Sequence, residues 1–258
     1  MITSVRQTAA MSKRSILALL RQPALVVPSM VFPLFFAALG TSSFGRATHL
    51  PGFPKVDSFL DFSLAGTIVQ GVLFGSVQSG SALATDIENG FFFRLLASPT
   101  SRLGILVGRL MGAATYGAAQ TLFFTLLLIP FGLRVKGGVG GAVVMLIAGG
   151  LTAIAVAGFM AAMALRTGSS EAVQGVFPLV FIALFFSSAF FPRQTMTGAY
   201  RHIANLNPIS YLIEGLRELC INGFTAASCA KSLLVPIGIM IVSFALALRA
   251  LSKRVAAA

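Results

Sequence analysis

Tryptophan is absent from the chain, cysteine and histidine occur twice each, and only 7 of the 258 residues are Asp or Glu. Each scarcity removes a class of function. Cys220 and Cys229 form no C-x-x-C pair and have no histidine beside them, which excludes a disulfide framework and the usual zinc spacings. The pair leaves open one disulfide or two free thiols. His49 and His202 fall in stretches between apolar runs, and no Ser/His/Asp set or carboxylate pair lies within such a run. A membrane-embedded enzyme therefore lacks its catalytic groups. No cofactor or metal is expected on this chain. No G-x-x-x-x-G-K-[ST] loop occurs, so any ATP that drives the protein is bound, with its Mg, by another polypeptide. Without tryptophan, an aromatic belt rests on three tyrosines and on phenylalanine.

Charge is scarce too. Asp, Glu, Lys and Arg make up 10% of the chain, against about 25% in a soluble domain. Hydrophobic residues make up 56%, and the mean hydropathy is +0.89. A soluble fold of this size needs far more polar surface, so the composition predicts an integral membrane protein. The net charge is +12, from 19 Lys+Arg against 7 Asp+Glu. It does not point to nucleic acid, because the basic residues are spread between apolar runs and form no patch. Lys and Arg collect beside membrane spans, mainly on the cytoplasmic side.

Six apolar segments near the ~20 residues that cross a bilayer are predicted at 24–43, 60–82, 106–131, 140–165, 172–191 and 232–250. The first carries Pro23, Pro28 and Pro33 and is expected to kink or begin late. Arg109, near the start of the third, is expected to snorkel to the interface. Residues 1–23 precede the spans. On a helical period Val5, Ala9, Ser12, Ile16, Leu19 and Leu20 share one face, and Arg6, Lys13, Arg14 and Arg21 an opposite arc. That pattern predicts a basic amphipathic helix in the membrane interface. With the N-terminus inside, eleven Lys and Arg lie on the cytoplasmic side and eight outside, so both termini are expected in the cytoplasm. The predicted fold class is all-α: one polytopic membrane domain over 1–258, with spans 1–5 in 24–191 and span 6 at 232–250.

Gly71-x-x-x-Gly75 in span 2, and Gly104, Gly108 and Gly112 leading into span 3, predict closely packed helix backbones. Ionisable residues sit only at span ends (Asp61, Arg109, Glu171, Arg249). Their confinement argues against a proton- or sodium-coupled pump and makes a self-contained channel or carrier the weaker alternative. The spans do hold Gln70, Gln78, Gln120 and Gln174. Such amides either hydrogen-bond between helices or line a substrate path.

Two segments break the apolar pattern. DIENGFFFRLLASPTSRLGILVGRL (Asp86–Leu110) leaves span 2 through Asp86 and Glu88, offers Phe91–Leu96 with Arg94 among them, and restarts a helix with Ser98 as cap and Pro99 as first residue. Phenylalanine and arginine are favoured interface anchors, so a short helix held between two spans reads as a docking element. The plainer alternative seats the phenylalanines in the membrane interface. The second segment, 192–231, contains NPISYLIEGLREL (Asn207–Leu219), with Asn207 as N-cap and Pro208 as first helical residue. Ile209, Leu212, Ile213, Leu216 and Leu219 make its apolar face, and Glu214, Arg217 and Glu218 lie off it. Twelve helical residues rise ~18 Å, too short to cross.

At these residues the chain resembles the permease subunits of bacterial ABC type-2 exporters, the group that moves drugs, lipids and polysaccharides. The resemblance rests on Asp86, Glu88 and Gly90 followed by RLLASPTSR (Arg94–Arg102), on NPISYLIEGLR (Asn207–Arg217), and on six spans after a basic amphipathic helix. Relatives carry an E-R-E-x-G-T-L-E-like stretch where this chain has DIENGFFF (Asp86–Phe93), so phenylalanines replace the acid after the glycine. The resemblance implies two permease chains, identical or homologous, and two separate ATPase subunits in a bacterial plasma membrane. It implies a cytoplasmic coupling helix at 86–101, with Asp86, Glu88, Gly90, Phe91, Phe92, Arg94, Leu95, Ser98, Pro99 and Arg102 at the ATPase contact. Short outer-side helices would carry Asn207, Pro208, Tyr211, Glu214 and Arg217. An amphipathic or hydrophobic substrate would pass between the permease chains near spans 1, 2 and 5.

Overall fold

The computed structural model describes residues 11, 12, 14, 17, 23–49, 51–97 and 101–256. Most of the expected amphipathic helix at 1–23, and Ser98 and Pro99, lie outside the described residues. Met11, Ser12, Arg14 and Leu17 are helical.

The described residues are helical, with no strand among them. The elements are α1 Pro23–Phe44, α2 Phe59–Glu88, α3 Phe91–Ala97, α4 Arg102–Leu128, α5 Gly138–Thr167, α6 Ser170–Gln174, α7 Phe177–Phe185, α8 Gly198–Leu206, α9 Pro208–Ile221 and α10 Ala226–Ala256. Five stretches are long and apolar enough to cross a membrane: Val26–His49, Phe59–Glu88, Arg102–Phe131, Gly138–Thr167 and Ala226–Ala256. The protein is a multi-pass membrane protein.

The expected fifth span, 172–191, is built differently. Ser170–Phe185 is a shorter apolar stretch, broken between α6 and α7. The Gly175 N–H closes α6 on the Glu171 carbonyl at 2.8 Å. Pro178 then has no N–H to give the Gln174 carbonyl, so the ladder cannot run on. The chain still passes from one end of the bundle to the other here. Ser170 is held by Glu88 at the first end, and the Ser188 carbonyl is held by Arg217 at the second.

α2 is the central helix. Almost its whole length is buried, from Phe59 to Ile87. Its start is fixed by a capping box: Leu60 N–H donates to Ser58 Oγ at 3.2 Å, and Ser58 N–H donates to Asp61 Oδ2 at 3.1 Å. The other oxygen of the buried Asp61 accepts from Arg134 N–H at 2.8 Å, which ties the α4–α5 connection to the same cap.

Gly71 and Gly75 make room for aromatic rings of α4. A Cβ on Gly71 would stand 2.5 Å from the Phe124 ring, and one on Gly75 2.7 Å from Tyr116. Closer still is Gly80, whose Cβ would meet Met160 Cβ at 2.4 Å where α2 crosses α5. Gly104, Gly108 and Gly112 of α4 are all buried, and the Gly108 carbonyl accepts from Ser12 Oγ at 3.0 Å. Backbones this close gain dispersion and weak polar contacts in a solvent that offers no hydrophobic drive.

Cys220 and Cys229 are both free thiols. Cys220 is completely buried in α9, and burial pushes its thiol up to about 12. A thiol is reactive as the thiolate, which forms as pH rises through its pKa. Cys220 is therefore expected to resist iodoacetamide at pH 8 in the folded protein and to react after denaturation without reductant. Intact mass before and after denaturation reads this directly. A denatured, unreduced chain that takes up no label would mean a disulfide.

Candidate functional site

At one end of the bundle the two acids of the DIENG stretch are engaged within the protein. Asp86 pairs with Arg109 and also with Arg14, whose Nη2 lies 3.1 Å from Oδ2. Arg109 is buried, 8% exposed. It does not snorkel as the sequence suggests, because its counter-ion lies one short helix-to-helix step away and it has no need of water. Glu88 accepts from Ser170 N–H at 2.7 Å and from Ser170 Oγ at 2.9 and 3.1 Å. Asp86 thus joins α2, α4 and the helical segment that carries Arg14, and Glu88 joins α2 to α6.

Gly90 turns the chain from α2 into α3. Its φ is +69°, in the left-handed region that glycine enters without steric cost. The turn separates three consecutive phenylalanines by role. Phe92 is 1% exposed and sits among Leu83, Ile105, Leu106, Leu165 and Leu251, which come from α2, α4, α5 and α10. Phe91 lies under two guanidinium groups, Arg14 at 4.2 Å and Arg94 at 5.5 Å. Phe93 is exposed, with Arg254 5.9 Å from its ring. Arg94 is exposed and Leu95 packs partly against the core. The sequence offered Phe91–Leu96 as one set of knobs, whereas the helix turns Phe92 inward and Phe93 and Arg94 outward.

The described cap of α4 is Ser101. Its Oγ accepts from Gly104 N–H at 3.1 Å, so the helix is capped three residues after the expected Ser98, and the exposed Arg102 is its first residue.

The opposite end is built around Arg217. It lies inside the protein, 6% exposed, although the sequence places it off the apolar face of its helix. Nε donates to the Phe62 carbonyl at 3.0 Å, and Nη2 donates to the carbonyls of Ser188 at 2.8 Å and Ala189 at 3.4 Å. The guanidinium stands 3.6 Å over the Phe62 ring. The irregular chain after α7 leaves carbonyls that no helix satisfies, and one arginine fork meets them. Asn207 does similar work. Its side-chain oxygen caps α9 by accepting from Ile209 N–H at 2.9 Å, while Nδ2 donates to the carbonyls of Ala183 and Phe186 at 2.6 and 3.0 Å. Pro208 is the first residue of α9, as expected. Tyr211 donates to the Asn205 carbonyl at 2.7 Å, and Glu214 is clasped by Arg193, with Nε 2.6 Å from Oε1.

Between these ends the four glutamines divide. Gln120 donates to Ser29 Oγ at 3.3 Å, and Ser29 shares a bond of 3.0 Å with Tyr116 OH, linking α1 to α4. Gln174 donates to Ser81 Oγ at 3.1 Å, linking α6 to α2. Those two join helices. Gln78 keeps a buried carbonyl oxygen without a partner among the described residues. Gln70 is 2% exposed, its buried Nε2 has no partner among them, and it lines a cavity of about 250 Å³. That cavity lies between α1, α2 and residues 185–200, and no charged side chain lines it. Phe36, Phe185 and Phe190 form its aromatic wall, with ring centroids 4.8 to 5.9 Å apart.

Sequence reasoning missed Ser170, Arg193 and the Ser29–Tyr116 pair. For Ser170 a signal exists, since GSSE at 168–171 is a helix-start pattern. The others depend on which helices meet.

Comparison with known proteins places this architecture. Residues 6–221 match the family described as ABC-2 type transporter. The daunorubicin resistance ABC transporter permease protein DrrB1 of Streptomyces coeruleorubidus is 32% identical over 224 residues, covering 84% of this chain and 76% of the relative. The putative transport permease ycf38 of Pyropia yezoensis is 27% identical over 83% of this chain and 74% of its own length. The probable doxorubicin resistance ABC transporter permease protein DrrC of Mycobacterium tuberculosis is 24% identical over 92% and 85%. A multi-pass helical chain with a short helix clamped between its second and third long spans, matched to this family over most of its length, belongs to the ABC-2 type transporter family as a permease subunit that works with ABC ATPase subunits.

Proposed function

We propose that this chain is the membrane subunit of an exporter for an amphipathic or hydrophobic molecule such as a drug, lipid or glycolipid. It works with two ATPase subunits, which bind ATP and Mg, and with a second permease chain, identical or homologous. It sits in a bacterial plasma membrane with both termini and α3 in the cytoplasm and the Arg217 end outside. The observation that carries the substrate class is the cavity beside Gln70. Its wall is aromatic and uncharged, and Gln70, whose buried Nε2 has no partner among the described residues, is one of its lining residues. Such a wall accepts a flat or flexible apolar body, and one amide donor orients an acceptor on it. A hydrolysable or strongly charged substrate finds no complementary group there. The resistance named for DrrB1 and DrrC supports a drug-like cargo.

Reconstitution with the cognate ATPase in liposomes tests this reading. ATP-dependent, vanadate-sensitive movement of a neutral lipophilic dye is expected. Gln70→Leu is expected to lower it about tenfold at an unchanged thermal midpoint, the loss that follows one missing hydrogen bond to a bound acceptor. Dye movement without the ATPase would favour a self-contained carrier instead.

A further inference from the structure

The acids of the DIENG stretch have the sequence signature of a contact with the ATPase, yet the structure commits them elsewhere. Asp86 is bound by Arg14 and Arg109, and Glu88 by Ser170. What α3 and the start of α4 leave exposed is of the opposite sign. Arg94 and Arg102 are exposed, and Phe93, next to Arg94 in the chain, is 38% exposed. Around them at the same end stand exposed Arg166, Arg249 and Lys253, against two exposed acids, Glu171 and Glu88, the latter bonded to Ser170.

We infer that α3 and the start of α4 present a basic and aromatic surface, Phe93, Arg94 and Arg102, to an acidic cleft of the ATPase that has an apolar pocket at its floor. Asp86 and Glu88 hold the presenting helix in place and make no contact across the interface. The inference rests on α3 being the ATPase contact and adds the chemistry of the partner surface.

Charge complementarity decides the sign of the partner: Arg94 and Arg102 are exposed, and acids on the partner pair with exposed guanidinium groups. Rigidity decides between a protein cleft and a lipid surface. Anionic headgroups attract basic side chains wherever these lie and need no fixed helix. α3 is instead bolted to four spans through Phe92 and set at a fixed angle by Gly90. A bolted helix suits a cleft that pushes on it, because movement of the cleft reaches α2, α4, α5 and α10 at once.

The test uses the permease with its cognate ATPase in detergent and in two kinds of nanodisc, one of neutral lipid and one with anionic lipid added. Association is measured from low to high salt for the natural chain, for Arg94→Glu with Arg102→Glu, for Arg94→Lys with Arg102→Lys, and for Glu88→Gln. Wild-type association is expected to weaken as salt rises, because the pairs across the interface are screened. The charge reversal is expected to lower it roughly tenfold or more, with the lysine pair close to wild type. Glu88→Gln is expected to leave the salt dependence unchanged. Two results overturn the inference while leaving the exporter assignment intact: wild-type association in the reversed protein, or a shallower salt dependence in Glu88→Gln. If reversal matters only in anionic nanodiscs and not in detergent, the arginines serve lipid, and the inference also falls. A natural chain that retains no ATPase under any condition removes both this inference and the proposed function.

Discussion

Asp86→Asn is expected to destabilise the folded protein by about 2–3 kcal/mol, because it leaves the buried Arg109 without the partner of a partly buried ion pair. The substitution keeps the size of the side chain and removes its charge. Arg109 is 8% exposed and would face the interior without its counter-ion, and Arg14 would lose its anchor on α2. The thermal midpoint of the purified chain in mild detergent reads the loss. A double-mutant cycle separates a true pair from two independent sites. If the two side chains act on each other, Asp86→Asn with Arg109→Gln falls less than the sum of the single changes, since no buried charge is left orphaned. A strictly additive double variant would contradict the pairing.

Phe92→Ala should have a larger loss, about 3–5 kcal/mol for a fully buried aromatic reduced to a methyl group. Phe92 is 1% exposed and belongs to a buried cluster with residues from four long helices. Removing it unfastens α3 before it unfolds the bundle. ATPase turnover is therefore expected to persist in the reconstituted complex while coupled transport is lost. Phe93→Ala is the control on the neighbouring ring. It is exposed, and its replacement is expected to change stability by no more than about 0.5 kcal/mol. Equal destabilisation by the two changes would mean that α3 is rotated from the position described.

Much of this fold is legible in the sequence because the lipid phase leaves few choices. Long apolar runs become spans, and Asn207-Pro208 starts a helix. These follow from local rules, and the chain obeys them. The errors lie where one segment depends on another. Arg109 reads as a snorkelling residue because its distance to Asp86, 23 positions earlier, is invisible in one dimension. Arg217 reads as a surface residue because the carbonyls it satisfies belong to a break after α7 that composition does not reveal. The fifth span reads as continuous because hydropathy ignores Pro178 and Gly175, although both residues announce the break once hydrogen bonding is considered. Among the candidate site residues, Phe91, Phe92 and Phe93 look equivalent in sequence and differ only through the turn at Gly90. The division of the glutamines is likewise a matter of tertiary contact. Gln120 and Gln174 found partners on other helices, and Gln70 faces the cavity.

The central claim is that this chain transports only as a partner of a separate ATPase. Affinity purification from native membranes in mild detergent, with mass spectrometry of what accompanies the chain, tests it most directly. The expected result is a soluble protein bearing a phosphate-binding loop, present in stoichiometric amount, whose ATPase activity is inhibited by vanadate. A chain that comes out alone and moves its cargo in liposomes without ATP would contradict the account.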